Sequence, residues 1–170
     1  MASTLSVSKI QGLSSAASPT TVEIASGHKI TGAAGSVTVP GQIIQTVNST
    51  TTTQLTSSSS SFVITDLTLN ITPTSSSNKI LIIATCPVYA TANHMIAAIY
   101  RDSTNISGAN WGIGAGTNNI ICNPSGAILD SPNTTSQITY AVYCKNNGGS
   151  TSYAMINSAM GTMTAMEIAQ

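Results

Sequence analysis

The sequence predicts an all-β protein, an antiparallel β-sandwich of jelly-roll type preceded by a short, glycine-punctuated β segment. Three observations carry this reading. The chain holds 25 serines and 25 threonines but few Glu, Lys, Arg or Gln, so β-branched and turn-forming residues replace the usual helix formers. No long stretch keeps apolar residues at i, i+3, i+4 and i+7. Roughly eight short apolar runs recur at intervals of about 8 to 20 residues, divided by Gly, Asn, Pro and Ser.

Residues 1–40 differ in texture from the rest. Apolar pairs (Leu5 with Val7, Val22 with Ile24, Val37 with Val39) alternate over two or three residues between glycines and serines. Pieces this short do not pair stably alone, and a segment of about 40 residues seldom builds its own core. Three copies wound about a common axis would supply the missing cover, which makes this stretch an assembly or attachment segment. Residues 41–170 then form the head.

Within the head, Gly41–Val47 reads as a strand, and the Ser/Thr tract Asn48–Ser61 as an exposed polar loop. Phe62–Thr72 has the cleanest alternation, with Val63, Leu67, Leu69 and Ile71 on one face and Asp66, Thr68, Asn70 and Thr72 on the other. Lys79–Tyr89 contains the only run of four large aliphatics, Ile80 to Ile83, and reads as a core strand covered on both faces. Met95–Arg101 is a strand that turns at Asp102-Ser103 and returns through Ile106. Ser107–Asn119 reads as a flexible glycine-rich loop around Trp111, and Ile120–Cys122 as a short strand. Thr139–Lys145 and Ser152–Asn157 flank Asn146-Asn147-Gly148-Gly149, a hairpin signal. Met163–Ile168 is the last strand.

Composition narrows function by exclusion. Only 6% of residues are charged and the net charge is zero, leaving no electrostatic footprint for nucleic acid. No apolar run approaches the ~20 residues of a membrane span. No basic, then apolar, secretory leader opens the sequence. Hydrophobic residues make up 41% of the chain and mean hydropathy is +0.21, too apolar for a solvated coil. Three cysteines without CxxC spacing read as buried free thiols, with a Cys86–Cys144 disulfide as the alternative, and synthesis in a reducing cytoplasm follows.

The order of motifs resembles a known family. Ala25-Ser-Gly-His-Lys-Ile-Thr-Gly, Val37-Thr-Val-Pro-Gly and Gln42-Ile-Ile-Gln-Thr-Val are followed by Leu69-Asn-Ile-Thr-Pro, Ser77-Asn-Lys-Ile-Leu-Ile, Leu129-Asp-Ser-Pro, Ile138-Thr-Tyr-Ala-Val and Met163-Thr-Ala-Met-Glu-Ile. This series is similar to tail-fibre and other virion structural proteins of tailed phages, especially those infecting cyanobacteria and marine bacteria. The resemblance implies a homotrimer with a slender N-terminal part and a β-sandwich head, located in the virion. Residues 1–40 would meet other virion proteins, and the head a host-surface glycan or protein receptor. The chain has few shaft repeats, so a short spike, fibre tip or capsid decoration fits better than a long fibre.

Catalysis has little to work with. The acids Glu23, Asp66, Asp102, Asp130 and Glu167 are scattered, whereas glycosidases need two carboxyls about 5 to 9.5 Å apart. His28, His94 and the cysteines lack metal-ligand spacing, although a ring of His28 about a threefold axis would offer an ion site. No nucleophile elbow or phosphate loop occurs, so the sequence nominates no catalytic residue, cofactor or metal ligand. Binding is the better reading. Trp111, flanked by Asn110 and with Asn118 in the same loop, is suited to stacking on a sugar face, or else to plugging one end of the sandwich. Tyr100 and Arg101 at a strand end are further contact candidates, with Arg101-Asp102 expected as a local turn pair.

Overall fold

In a computed structural model of the chain, Ser26 and residues 37–170 are described. The chain divides into two units, Met1–Val37 and Thr38–Gln170, and the described strands belong to the second. The N-terminal apolar pairs before Val37, His28 and the proposed assembly segment apart from Ser26 and residues 37–40 lie outside the described residues.

The second unit holds twelve strands: β1 (Ile43–Thr51), β2 (Leu55–Ser57), β3 (Val63–Ile71), β4 (Lys79–Thr85), β5 (Val88–Ala90), β6 (His94–Arg101), β7 (Thr104–Asn105), β8 (Gly114–Thr117), β9 (Ser125–Asp130), β10 (Ile138–Asn146), β11 (Ser152–Ala154) and β12 (Gly161–Ile168). One sheet runs β1-β12-β4-β9. Another runs β3-β10-β6, with β7 and β8 both pairing along the outer edge of β6. Every pairing between strands is antiparallel. Counting only the eight principal strands, the sheets interleave first-last-third-sixth against second-seventh-fourth-fifth, which is the jelly-roll arrangement of two Greek keys. A small third sheet, β2-β11-β5, completes the fold.

Alternation explains the core. Leu67, Leu69 and Ile71 from β3, Ile80, Ile82 and Ala84 from β4, Tyr140, Val142 and Cys144 from β10, and Met163 and Ala165 from β12 meet between the sheets. The final strand proves central, lying between β1 and β4 with an unbroken register from Thr162↔Thr85 to Ile168↔Lys79. A bulge interrupts β3, where Thr65 to Leu67 oppose the single residue Val142. Thr65 Oγ1 repairs it, donating to the Val142 carbonyl (2.9 Å) and accepting from Leu67 N–H (3.1 Å).

Several expectations require correction. Lys79–Tyr89 is not one strand covered on both faces. It breaks at Cys86-Pro87 into β4 and β5, and β4 alternates, with Ile80 and Ile82 at 0% exposure but Ile83 at 41%, because among the described residues only its inner face meets another sheet. Asn48–Ser61 is not simply a loop, since β-branched threonines carry β1 to Thr51 and Leu55 anchors β2. The Asn146–Gly149 turn does not close a hairpin: β10 belongs to the large sheet, whereas β11 pairs with β2 and β5. Asn146 governs that crossing by bonding Ser150 and Ser152 through its buried side chain. Ser152–Asn157 stops as a strand at Ala154, because Met155, Asn157 and Ser158 take left-handed backbone around a short 3-10 turn. Ile120–Cys122 supplies only an isolated bridge from Cys122 to Val88, while β9 arises where no strand was expected.

Glycine-rich Ser107–Asn119 is also ordered on the sheet. Gly112 has φ +53°, and a Cβ there would stand 2.1 Å from the Ala97 carbonyl oxygen. In β8 a Cβ on Gly116 would lie 2.8 Å from Val88. These glycines admit close approach, and Ile113 N–H donates to the Ala97 carbonyl at 2.8 Å.

Candidate functional site

The outer face of the β3-β10-β6 sheet carries the most distinctive surface of the head. Inward alternation of Tyr140, Val142 and Cys144 leaves Ala141, Tyr143 and Lys145 outward, and on β6 it leaves Ile96, Ala98 and Tyr100 outward. The Trp111 turn is fastened to β6 by Ile113 N–H donating to the Ala97 carbonyl, and Ile96, Ala98 and Ala141 on this face are buried. Beside them Tyr100 stacks on Tyr143, with ring centroids 4.0 Å apart, and meets Phe62 edge to face at 5.7 Å. Lys145 Nζ sits 4.6 Å from the centre of the Phe62 ring.

These residues border an open groove of about 460 Å³. Phe62, Tyr100 and Lys145 line one part of it, Ser60 and Ser61 another, and Asn105 and Ala109 the side toward the Trp111 turn. Ser60 and Ser61 are exposed at this border. The Asn105 side chain is already engaged, donating to the Gly108 carbonyl and accepting from Ser107, so it shapes the loop.

The residues nominated from sequence are only partly gathered here. Tyr100 lies in the groove. Asn110 is exposed in the turn just beyond Ala109, and Trp111, 53% exposed, sets its ring edge-on to His94 at 5.2 Å. Asn118 lies apart, past the end of β8 and bridged to Ala90. Arg101 does not pair with Asp102. Its Nη1 donates to both Asp130 oxygens (2.8 and 2.9 Å), while Asp102 accepts from Thr139 N–H. The reason is parity: Arg101 falls on the inward side of β6, where β9 presents Asp130. Phe62, Tyr143 and Lys145 were missed, although strict alternation along β10 was a usable signal for the last two.

Two acids fall on one inner rung, Gln45–Glu167–Ile80–Asp130, at one end of the four-stranded sheet. Both are held by donors. Asp130 accepts from Arg101 and, at 2.6 Å, from the hydroxyl of Tyr140; burial and that bond push the Tyr140 hydroxyl far above its ordinary range. Glu167 accepts from Asn78 Nδ2 (2.6 Å), Gln45 Nε2 (2.6 Å), Thr74 N–H (2.7 Å) and Thr74 Oγ1 (2.8 Å). Burial alone would raise the Glu167 carboxyl, but the bonds from Asn78, Gln45 and Thr74 outweigh it and hold the group below its ordinary value. Among the described residues, no three or more of His, Cys, Asp and Glu gather where they would hold a metal ion. Cys86 and Cys144 are free and buried, their sulfurs 3.9 Å apart, and the contact with Cys86 together with burial pushes the Cys144 thiol up.

Fold and surface together define a class, an antiparallel jelly-roll head with an open aromatic groove on one sheet. No family model and no curated protein matches the chain. Among solved structures it is similar to the D431N mutant VP2 protein of infectious bursal disease virus and to a chain of infectious bursal virus particles, both from derived T=1 particles. Each matches with a TM-score of 0.42 and 14% identity over 84% of this chain. The match spans 41% of each of those chains, less than half their length.

Proposed function

We propose that this chain is a homotrimeric virion structural protein, a short tail fibre, spike or fibre tip of a tailed phage that contributes to attachment at the host surface. Residues 1–40 join it to neighbouring virion proteins, and residues 41–170 form the head that meets a glycan or protein receptor. The observation that carries this reading is the groove: aromatic rings and a lysine stand open on one sheet, while the two carboxylates on the inner rung are committed to internal bonds. Such a surface is suited to weak binding, and three heads on each of several trimers multiply weak contacts by about 10² to 10⁴ in avidity. The resemblance of its motif order to that of phage virion proteins supports the same reading.

Purified full-length protein, added in excess, is expected to block adsorption of the parent phage to its host. Undiminished adsorption at saturating protein would refute attachment. A second reading, an architectural capsid decoration, is favoured by the outer face of the β1-β12-β4-β9 sheet. There Met166, Leu81 and Leu129 form one cross-strand row, beside the exposed Ile83, on a face whose only charged residue is Lys79. Particles lacking the protein that still adsorb but lose capsid integrity would select that alternative.

A further inference from the structure

We infer that the groove beside Lys145 is a site for an acidic saccharide, one bearing a carboxylate on the sugar ring. The inference rests on the attachment reading and names the ligand class of the same groove. Its first basis is charge. Among the described residues the one ion pair is Arg101 with Asp130, so Lys145 has no carboxylate partner there and its ammonium rests against the Phe62 ring. A cation held on an aromatic face, part-shielded and without an anion, is a ready donor to a ligand carboxylate through a charge-assisted bond.

Shape is the second basis. Tyr100 is propped by its stack on Tyr143 and flanked by Phe62, which gives two fixed rings of low conformational entropy in one groove. A volume of about 460 Å³ admits one or two sugar rings, whereas a protein receptor would cover about 800 Å² of each partner and reach far beyond it. The exposed Ser60 and Ser61 stand where hydroxyls would meet those of a sugar. Apolar faces, hydroxyls and a single cation are together the complement of an acidic sugar.

Calorimetric titration of the full-length protein with tri-galacturonate and with neutral galactotriose tests the inference. Tri-galacturonate is expected to bind at least tenfold more tightly. Lys145→Gln should bring it down to the neutral level, Lys145→Arg should restore most of the difference, and Phe62→Ala should weaken both sugars. Equal binding of the two sugars, or no effect of Lys145→Gln in a folded variant, would overturn the inference. So would displacement by inorganic sulfate at equal concentration, which would mark a plain anion site. If neither sugar binds while the protein still blocks adsorption, the acidic-sugar assignment fails and attachment stands; if adsorption is also unaffected, both fail.

Discussion

Replacing Glu167 by Gln tests whether one carboxylate fastens the end of the sandwich. The substitution keeps shape and removes charge. Three bonds, from Thr74 N–H, Thr74 Oγ1 and Asn78 Nδ2, still find an oxygen but become neutral, and each loses about 1 kcal/mol. The fourth becomes a confrontation of two amide groups, because Gln45 Nε2 now faces another NH₂; Gln45 can turn over only by giving up the Thr72 carbonyl. The three weakened bonds alone cost about 3 kcal/mol and the facing amides add to it, so at a slope of about 2 kcal/mol/M the urea midpoint falls by at least about 1.5 M at pH 7. The sign with pH follows from the lowered carboxyl. A group whose value is depressed on folding stabilises fully above its unfolded value of about 4.3, and the stabilisation is lost as pH falls through the folded value. Urea unfolding of both proteins from pH 7 down to pH 2.5 should therefore show a gap that is widest at neutral pH and closes below about pH 4. A gap that is equal at both ends of the range, or smaller than about 0.5 kcal/mol at pH 7, would refute the reasoning.

Three other perturbations probe separate parts of the fold. Thr65→Val, nearly isosteric, takes away the hydroxyl that repairs the β3 bulge and should cost about 1 to 3 kcal/mol in chemical unfolding; a neutral outcome would mean the bulge is satisfied otherwise. Gly112→Ala sets a Cβ against the Ala97 carbonyl in a left-handed conformation, so it should destabilise by more than about 1 kcal/mol and free Trp111 from His94. The fluorescence of this sole tryptophan should shift to the red and quench more readily with acrylamide, and an unchanged spectrum would contradict the seating of the turn. Titration with an aromatic disulfide reagent should find one reactive thiol in the native protein, Cys122, and three in denaturant; three fast thiols in the native state would contradict the burial of Cys86 and Cys144.

How far the sequence reaches is visible strand by strand. Phe62–Thr72 was legible because Leu67, Leu69 and Ile71 alternate with a wetter face, whereas Met163–Ile168 was found only as a short closing run, with Met166 and Ile168 facing out and Glu167 facing in. Lys79–Thr85 misled because the outward Leu81 and Ile83 imitate a doubly covered strand, although they stand on the outer face of the sandwich. Glycines at 112, 114 and 116 signalled flexibility when their role is contact: a segment in which every second residue lacks a side chain lies close against β6 and Val88. The groove was half visible. Tyr100 was found from its place at a strand end, but its joining with Phe62 and Lys145 depends on β10 lying between β3 and β6, a long-range pairing that no local pattern specifies. Likewise Arg101 meets Asp130 only because the two sheets face each other at that end.

The central claim is that this head works as one of three. Light scattering of the purified full-length protein, coupled to size-exclusion chromatography, tests it most directly: the account predicts a particle of three times the 17.3 kDa chain mass, and a stable species of 17.3 kDa across the concentration range would contradict it.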